Sequence, residues 1–205
     1  MICCVGKFTQ KLFKLKEGDS VGVRGPYGSS FTLKVKNIAL VAGGYGIAPL
    51  SFLADEAIKK EIKVHVISGA RTKKSLVFCN KDSKLCRFMY STDDGTHGEK
   101  GYAIHVLEQL INKEKIDFVY TVGPEIMMLK IIELTDRYHI SCEISLERYI
   151  KCGIGVCGQC CVDNLGIRMC IEGPVVDKEL AKKIFEFGKY KRDASGRKIN
   201  LNNDY

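Results

Sequence analysis

The sequence lacks the features that would carry the chain into or across a membrane. No apolar run in its 205 residues reaches the roughly 20 residues of a membrane-spanning helix. The N-terminus has neither the long apolar core nor the cleavage site of a secretory signal peptide. Internal repeats, low-complexity stretches and a catalytic triad are absent too, and the four histidines are scattered without metal-ligand spacing. We therefore expect a cytoplasmic chain with no membrane contact and no catalytic acid or base.

Acidic residues are in the minority, and the net charge is +8. Residues 188–205 contribute to this excess, with five basic residues against two acidic ones. Aromatic and basic residues do not interleave, and no nucleic-acid-binding motif is present. We therefore expect no nucleic-acid partner, and a basic tail at residues 189–205 that is solvated or contacts a partner protein.

Cysteine, in contrast, is abundant, with ten residues. Without an export signal, so many thiols indicate a reducing compartment, where they bind metal or pack in the core. Five of the ten lie in residues 148–174, RYIKCGIGVCGQCCVDNLGIRMCIEGP, called the cysteine loop below. Four of these five follow the spacing C-x4-C-x2-C-x9-C, namely Cys152, Cys157, Cys160 and Cys170.

This spacing predicts a plant-type [2Fe–2S] cluster, with three thiolates on one tight loop and a fourth returning from a short hairpin. Gly153, Gly155 and Gly158 permit the backbone angles that a chain wrapped around an inorganic core needs. Cys161 directly follows a predicted ligand and points the opposite way in an extended segment, so we interpret it as a small buried apolar residue. A zinc site is the alternative, although zinc sites usually show two separate Cys-x-x-Cys-like pairs and this loop has one.

The middle of the chain alternates short apolar strands with helices, which predicts an α/β fold with a doubly wound parallel sheet. Residues 17–31 are predicted as one further short strand, closed by glycine- and proline-rich turns. The other predicted strands are 37–42, 63–68, 87–91, 117–122 and 141–145. The predicted helices are 9–15, 47–60, 102–112, 125–138 and 178–187.

A glycine-rich turn joins the first buried strand to a helix. Residues 43–49, GGYGIAP, are called the nucleotide loop below. A helix N-terminus has free N–H groups and a positive dipole end, so it receives a pyrophosphate, and small residues allow close approach. We predict a dinucleotide site here, with a turn that is merely tight as the alternative. The predicted contact residues are Gly43, Gly44, Gly46, Ala48 and Pro49.

Three further residues follow strands at the same edge of the sheet. Ligands of open α/β sheets bind at the carboxyl ends of the strands. Gly123 and Pro124 follow the strand at 117–122, so we predict that they face a nicotinamide or, alternatively, only form the turn. Arg71 follows the second strand, where it either contacts a phosphate or ribose of the nucleotide or is a solvated loop residue.

Six segments, in order, are similar to one family: RGPYG, LVAGGYGIAPL, GAR, STDDG, VGPEIMM and SLERYIKCGIGVCGQC. They resemble the electron-transfer subunit of dihydroorotate dehydrogenase B, which belongs to the ferredoxin-reductase group. The resemblance runs from about residue 5 to residue 177 and is most specific at residues 143–174. It implies FAD, one [2Fe–2S] cluster and electron transfer from the FMN of a catalytic partner to NAD, in pyrimidine biosynthesis.

The resemblance also implies roles for residues and segments. By motif position, the four spaced cysteines are the cluster ligands, the nucleotide loop binds NAD, and Phe8 and Thr9 contact the flavin. The implied assembly is a heterotetramer with two copies of each subunit. The implied units are the end of a FAD-binding β-barrel (1–35), a nicotinamide-nucleotide domain (36–147), a cluster subdomain (148–188) and the basic tail (189–205).

Two departures from the family pattern stand out. The chain has no Arg-x-x-Ser-type segment, which in the family grips FAD, so a fragment, a misassigned start and weak FAD binding remain open alternatives. Val122 replaces the usual cysteine before Gly-Pro, which removes a thiol beside the nicotinamide.

We therefore expect an electron-transfer subunit that links a partner dehydrogenase to NAD. A cluster carries one electron and a hydride carries two, so a flavin is implied between them. The alternatives are a reductase subunit of another complex, such as a ferredoxin:NADP or sulfide- or sulfur-reducing flavoprotein, and a binding module stabilised by zinc or a cluster. Ile154 and Val156 are expected to form an exposed docking patch, flanked by the positive charges of Arg148 and Lys151.

Overall fold

The computed structural model describes residues 2–77 and 83–201. The strands are β1 (Asn37–Gly43), β2 (Lys63–Ala70), β3 (Cys86–Thr92), β4 (Glu99–Lys100), β5 (Phe118–Val122), β6 (Ser141–Ser145), β7 (Val175–Asp177), β8 (Tyr190–Arg192) and β9 (Lys198–Asn200). The α-helices are α1 (Lys7–Leu12), α2 (Ile47–Lys59), α3 (Ala103–Lys113), α4 (Glu125–Arg137) and α5 (Lys178–Lys183). In this described part, the main sheet has seven strands in the order β4-β3-β2-β1-β5-β6-β7, parallel except for the β6–β7 pair.

The central strand β1 is apolar because both of its faces are buried. Ile38, Leu40 and Ala42 pack on the face covered by α2. Ala39 and Val41 pack on the opposite face, which α3 and α4 cover. All five side chains are fully buried, as expected for a parallel strand with helices on both faces. The predicted doubly wound parallel sheet is therefore confirmed. None of the helices in residues 2–77 and 83–201 has the length and apolar composition of a membrane span.

The predicted strand at residues 17–31 is wrong, because no strand occurs between α1 and β1. From Tyr27 to Val35 the chain alternates half-buried and exposed residues, which is the period of a strand. Phe31, Leu33 and Val35 pack on the α2 face of the sheet, and the Ser29 N–H donates to the carbonyl of Gly173 at 2.5 Å. The segment therefore has a strand's pattern of burial without a neighbouring strand to form a ladder.

The C-terminal helix is shorter than predicted. Helix α5 ends at Lys183 because the next residue, Ile184, has extended backbone angles (φ −74°, ψ 110°). The predicted apolar face is nevertheless present, since Leu180, Ala181, Ile184 and Phe187 all pack on the main core.

The segment expected as a basic tail contains a hairpin of β8 and β9. Tyr190 and Leu201 are buried within it. Arg192 Nη2 lies 3.0 Å and Lys198 Nζ 3.5 Å from Oδ2 of Asp163. Part of the positive charge is therefore paired inside the chain rather than left to solvent or a partner.

A buried ion cluster joins three parts of the chain. Arg148 Nε donates to Oε1 of Glu186 at 2.8 Å, and Arg148 Nη1 donates to Oε1 of Glu125 at 2.5 Å. Arg148 exposes 3% of its side-chain surface, Glu186 exposes 1% and Glu125 exposes 9%. The second oxygen of Glu125 accepts the N–H of Gly188, and that of Glu186 accepts the N–H of Asp163. The expectation that Arg148 is a surface charge beside a docking patch is therefore wrong.

Replacing Arg148 by methionine should destabilise the protein strongly. Arg148→Met keeps the side chain's bulk but leaves the carboxylates of Glu125 and Glu186 buried without a cation. Removing one partner of a buried ion cluster typically costs about 3–5 kcal/mol, so we expect a large fall in the thermal unfolding midpoint.

The matched control combines Arg148→Met with Glu125→Gln and Glu186→Gln, which removes all three charges. We expect this triple variant to recover much of the lost midpoint. A single variant as stable as the wild type, or a triple variant no better than the single one, would show that the buried charges are not what holds these segments.

Candidate iron–sulfur and nucleotide sites

The cysteine loop leaves the sheet at the carboxyl end of β6 and returns as β7. Ser145 and Val175, which flank it, are register partners in this antiparallel pair, and the Leu146 N–H donates to the carbonyl of Pro174 at 2.9 Å. The two ends of the loop are thereby held together. Because β1, β5 and β6 are parallel, the loop lies at the same sheet edge as the nucleotide loop.

The four predicted cluster ligands lie in two pairs. The Cys152 sulfur accepts the N–H of Cys157 at 3.4 Å and contacts its thiol, while the thiols of Cys160 and Cys170 hydrogen-bond to each other. The second pair is buried, Cys152 is half-buried and Cys157 is exposed. A [2Fe–2S] cluster takes four thiolates, two at each iron, so this donor set fits that group. Within the described ranges, no group of three or more His, Cys, Asp or Glu side chains could hold a single metal ion.

Backbone N–H groups stabilise negative charge on the first ligand. The N–H groups of Cys157, Ile154 and Val156 lower the pKa of the Cys152 thiol to about 6, because each hydrogen bond favours the thiolate. The wrapped backbone thus supplies N–H donors to sulfur, which is how surrounding groups support a metal ligand.

Two residues from the N-terminal segment hold the cysteine loop in place. Gly153 has a φ of +72°, and a Cβ there would lie 2.4 Å from Cε1 of Tyr27, so the position requires glycine. Arg24 Nη2 donates to the carbonyl of Lys151 at 2.8 Å, and its Nε donates to the Tyr27 hydroxyl. Neither residue was predicted from the sequence to act at this site. Both Arg24 and Tyr27 lie in the RGPYG motif, which could have indicated them.

The predicted hairpin that returns Cys170 is reduced to an isolated antiparallel bridge between Cys161 and Arg168. Cys161 is half-buried rather than buried as predicted. Burial raises the pKa of its thiol, and the positive charge of Arg168 opposes that rise.

The nucleotide loop packs closely against the turn after β5. A Cβ on Gly46 would lie 2.0 Å from the carbonyl oxygen of Val122, and one on Gly43 would lie 2.6 Å from Cδ of Pro124. A Cβ on Gly123 would lie 2.9 Å from the backbone nitrogen of Gly43. The structure therefore brings these predicted site residues together, and their small size is needed for packing at this contact.

Gly44 is different from its neighbours. It has a φ of +54°, and no atom lies within 4 Å of a Cβ built on it. Ala48 is half-buried and Pro49 exposed in the first turn of α2. An added side chain at Gly44 would therefore enter open space rather than meet the protein. The predicted contact of Gly44 with a nucleotide stays a prediction.

Arg71 lies beyond the end of β2 and is exposed. Gly43 and Gly69 are register partners in β1 and β2. Arg71 comes two residues after Gly69, and so lies near the nucleotide loop at the end of the neighbouring strand. The Asp94 N–H donates to its carbonyl at 3.3 Å. Burial raises the pKa of Asp93, and the charge of Arg71 opposes this rise. The predicted contact between Arg71 and a nucleotide stays a prediction.

The two predicted flavin contacts lie in α1. Thr9 Oγ1 accepts the N–H groups of Val5 and Gly6 and donates to the carbonyl of Gly6, all at 3.0 Å. Phe8 exposes 72% of its surface. The Thr9 hydroxyl therefore caps its own helix, while Phe8 offers an open apolar face.

Comparison with known proteins matches the two regions to known domains. Residues 147–181 match the iron–sulfur cluster binding domain of dihydroorotate dehydrogenase B, and residues 40–132 match the oxidoreductase NAD-binding domain. A Methanocaldococcus jannaschii protein, the probable electron transfer subunit of dihydroorotate dehydrogenase B (NAD(+)), is 49% identical over 195 residues. The match covers 95% of this chain and 76% of that protein. This chain belongs to the family of dihydroorotate dehydrogenase B electron-transfer subunits.

Other members of this electron-transfer subunit family are similar. The Pyrococcus furiosus protein of the same description is 44% identical over 200 residues. The match covers 96% of this chain and 76% of that protein.

Two solved structures have a similar fold. An NADH-dependent reduced ferredoxin-NADP oxidoreductase, studied for flavin-based electron bifurcation, matches with a TM-score of 0.76 and 31% identity. The match covers 87% of this chain and 66% of that chain. The ferredoxin reductase in carbazole 1,9a-dioxygenase matches with a TM-score of 0.52 and 22% identity, over 66% of this chain and 45% of that one. The predicted ferredoxin-reductase type of fold is confirmed.

For this electron-transfer subunit, iron–sulfur binding and NAD binding are thus confirmed at the level of domains. The iron–sulfur match decides against the zinc alternative. Which cysteines ligate the cluster, and which loop residues contact NAD, stay predictions that substitution tests directly.

Serine substitutions should identify the cluster ligands. Cys152→Ser, Cys157→Ser, Cys160→Ser and Cys170→Ser should each remove most of the visible absorption, because a hydroxyl replaces the soft thiolate. Cys161→Ser is the matched control and should keep both colour and iron. Visible spectra and iron content per chain are the measurements. If Cys161→Ser bleaches the protein while Cys160→Ser does not, the assigned register is wrong.

A side chain at Gly44 should impair nucleotide binding without disturbing the fold. Asparagine tolerates the left-handed conformation, so Gly44→Asn should leave the thermal midpoint and iron content nearly unchanged. We expect the KM for NADH to rise about tenfold, which corresponds to about 1.4 kcal/mol of binding.

The control is Gly46→Ala, whose methyl group would collide with the carbonyl of Val122. Such overpacking typically costs about 1–3 kcal/mol, so its thermal midpoint should fall whether or not NADH is present. Unchanged NADH kinetics in Gly44→Asn would mean that the loop is only a turn.

Proposed function

We propose that this chain transfers electrons from the FMN of a dihydroorotate dehydrogenase catalytic subunit to NAD+, in pyrimidine biosynthesis. The observation that supports this most directly is that the cysteine loop and the nucleotide loop lie at one edge of one sheet. The ion cluster of Glu125, Arg148 and Glu186 ties the cysteine loop to the start of α4, directly after the turn that packs against the nucleotide loop. In this proposal Cys152, Cys157, Cys160 and Cys170 hold the cluster. The nucleotide loop, Gly123 and Pro124 hold NAD, with Arg71 as a further contact.

A flavin is part of the proposal because a [2Fe–2S] cluster exchanges single electrons, whereas NAD takes two as a hydride. The N-terminal segment reaches the nucleotide loop, where the Cys3 thiol forms a hydrogen bond with the Tyr45 hydroxyl that raises the pKa of Tyr45. Helix α1 follows a few residues later. We assign Phe8 and Thr9 of this helix to FAD contact, with the exposed ring of Phe8 as an apolar surface for the flavin.

The proposed contact with the catalytic subunit is centred on Ile154 and Val156, which expose 70% and 79% of their surface. Ile171 adjoins them across Gly155 and is 43% exposed. Apolar side chains exposed together are typical of an interface. Transfer between subunits also needs the redox centre near the surface, and Cys157 is exposed. We propose that this patch docks the FMN-bearing subunit in a complex of two plus two chains.

A second candidate function is a reductase subunit that exchanges electrons with ferredoxin and NADP. The similarity to the NADH-dependent reduced ferredoxin-NADP oxidoreductase, with its TM-score of 0.76, favours this candidate. The two functions differ in the electron donor. Dihydroorotate, with its catalytic subunit, would drive the first, and reduced ferredoxin would drive the second.

We also propose a cytoplasmic location and no nucleic-acid partner. None of the nine cysteines among the described residues forms a disulfide, as in a reducing compartment. In the C-terminal segment, Arg192 pairs with Asp163 and Arg197 with Asp193, which lowers the charge available to a polyanion.

The test is co-expression with the dihydroorotate dehydrogenase catalytic subunit of the same organism. We expect a complex of two plus two chains that contains FMN, FAD and iron and reduces NAD+ with dihydroorotate. Ile154→Asp should abolish both the complex and this reaction, because a charge in the centre of an interface costs about 2 kcal/mol or more. NADH oxidation with an artificial dye and the iron content should stay intact. Size-exclusion chromatography and steady-state kinetics are the measurements.

The matched control is Phe52→Asp, since Phe52 is 68% exposed on α2, outside the cysteine loop. It should keep the complex and its activity. If Ile154→Asp elutes as the full complex, the docking face lies elsewhere, and the β8–β9 hairpin is the next surface to test. Reduction of NADP+ by reduced ferredoxin, without any response to dihydroorotate, would favour the second function.

A further inference from the structure

Arg168 grips the cysteine loop from its returning side. Its Nη1 donates to the carbonyl of Gly155 at 3.2 Å. On the other side, its Nε lies 3.1 Å and 3.2 Å from the two carboxylate oxygens of Glu172, and its Nη2 donates to the first of them. A Cβ on Gly155 would lie 3.0 Å from Nη1 and 3.4 Å from Cζ. The guanidinium therefore lies directly against this glycine, and a forked contact with one carboxylate fixes its orientation.

Gly155 connects this guanidinium to a predicted cluster ligand. Its N–H lies close to the Cys170 sulfur, and a Cβ on Gly155 would lie 2.9 Å from Cγ1 of Ile171, the residue after Cys170. The N–H of one glycine thus serves a ligand sulfur while its carbonyl is held by Arg168. Gly155 has a φ of +75°, which few other residues would adopt. Its carbonyl forms one planar peptide unit with the N–H of Val156, so the grip of Arg168 also fixes the direction of that N–H, which lies close to the Cys152 sulfur.

The alternative is that Arg168 and Glu172 form an ordinary surface ion pair with no effect on the cluster. Arg168 and Glu172 expose 40% and 41% of their side-chain surface, and exposed pairs four residues apart contribute little to stability. Stability alone would not require the third contact, from Nη1 to the ligand-bearing loop. Arg168 also lies close enough to interact electrostatically with both Cys170 and Cys161.

We propose that Arg168 is a positioning residue that sets the reduction potential of the [2Fe–2S] cluster. It holds the peptide unit of Gly155 and Val156 so that the Val156 N–H stays on Cys152, and it places a positive charge beside Cys170. The proposal rests on the ligand set given under the proposed function. Hydrogen bonds to sulfur and nearby positive charge both favour the reduced, more negative cluster, so both raise its potential. Glu172 orients Arg168 and offsets its charge.

The experiment is a redox titration of the full chain with its cluster, followed by electron paramagnetic resonance of the reduced form. Arg168→Gln should move the midpoint to a more negative value and alter the spectrum. Arg168→Lys keeps the charge but not the fork, so it should shift the midpoint in the same direction by less. Glu172→Gln removes only the negative charge and should shift the midpoint to a more positive value.

The matched control is Arg137→Gln, which makes the same change in net charge at an exposed arginine paired with Glu108 on the helices. It should titrate as the wild type does. Opposite shifts in Arg168→Gln and Glu172→Gln support the proposal, because simple loosening of the loop would move both in one direction. Unchanged or same-sign shifts with full iron content would overturn it. If Arg168→Gln loses iron, Arg168→Lys and Glu172→Gln decide. A wild-type chain without iron would instead refute the ligand set itself.

Discussion

One buried cation fixes the two cofactor sites relative to each other. Arg148 begins the cysteine loop, Glu125 begins the helix that follows the nucleotide-site turn, and Glu186 comes from the C-terminal segment. A guanidinium removed from water is tolerated only where carboxylates compensate its charge, so these three segments have to meet. This ion cluster therefore holds the start of the cysteine loop against the start of α4 and the C-terminal segment.

The cysteine loop is held from outside because it has little regular structure of its own. Within residues 148–174, its described backbone pairing is limited to turns and one isolated bridge. A backbone wrapped around a cluster turns its N–H groups toward sulfur, so they are not available for a ladder. Tyr27 lies against Gly153 from the N-terminal segment, and Arg168 lies against Gly155 from the returning segment of the loop. Each of these glycines therefore packs against a side chain that is distant from it in the sequence.

Much of the fold and the type of cofactor was predictable from local pattern. Strands buried on both faces have to be apolar throughout, so the positions of β1 and β5 were evident before the structure. Ligand spacing on a tight loop is dictated by the cluster, so the four cysteines stood out in the same way. The pattern failed at residues 17–31, where no strand forms. From Tyr27 to Val35 burial alternates because the segment packs on a sheet face rather than pairing in a ladder.

The sequence by itself thus determined the parallel sheet, the cysteine loop and the kind of chemistry they support. The tertiary structure decided which residues pack inside the protein and which remain open to solvent or a ligand. Gly44 and Gly46 share one motif, yet Gly46 is packed against Val122 and Gly44 faces open space. Arg148 looked like a surface charge because its partners lie 23 and 38 residues away. Burial and charge pairing across such separations depend on how the elements pack, and a local pattern contains no record of that packing.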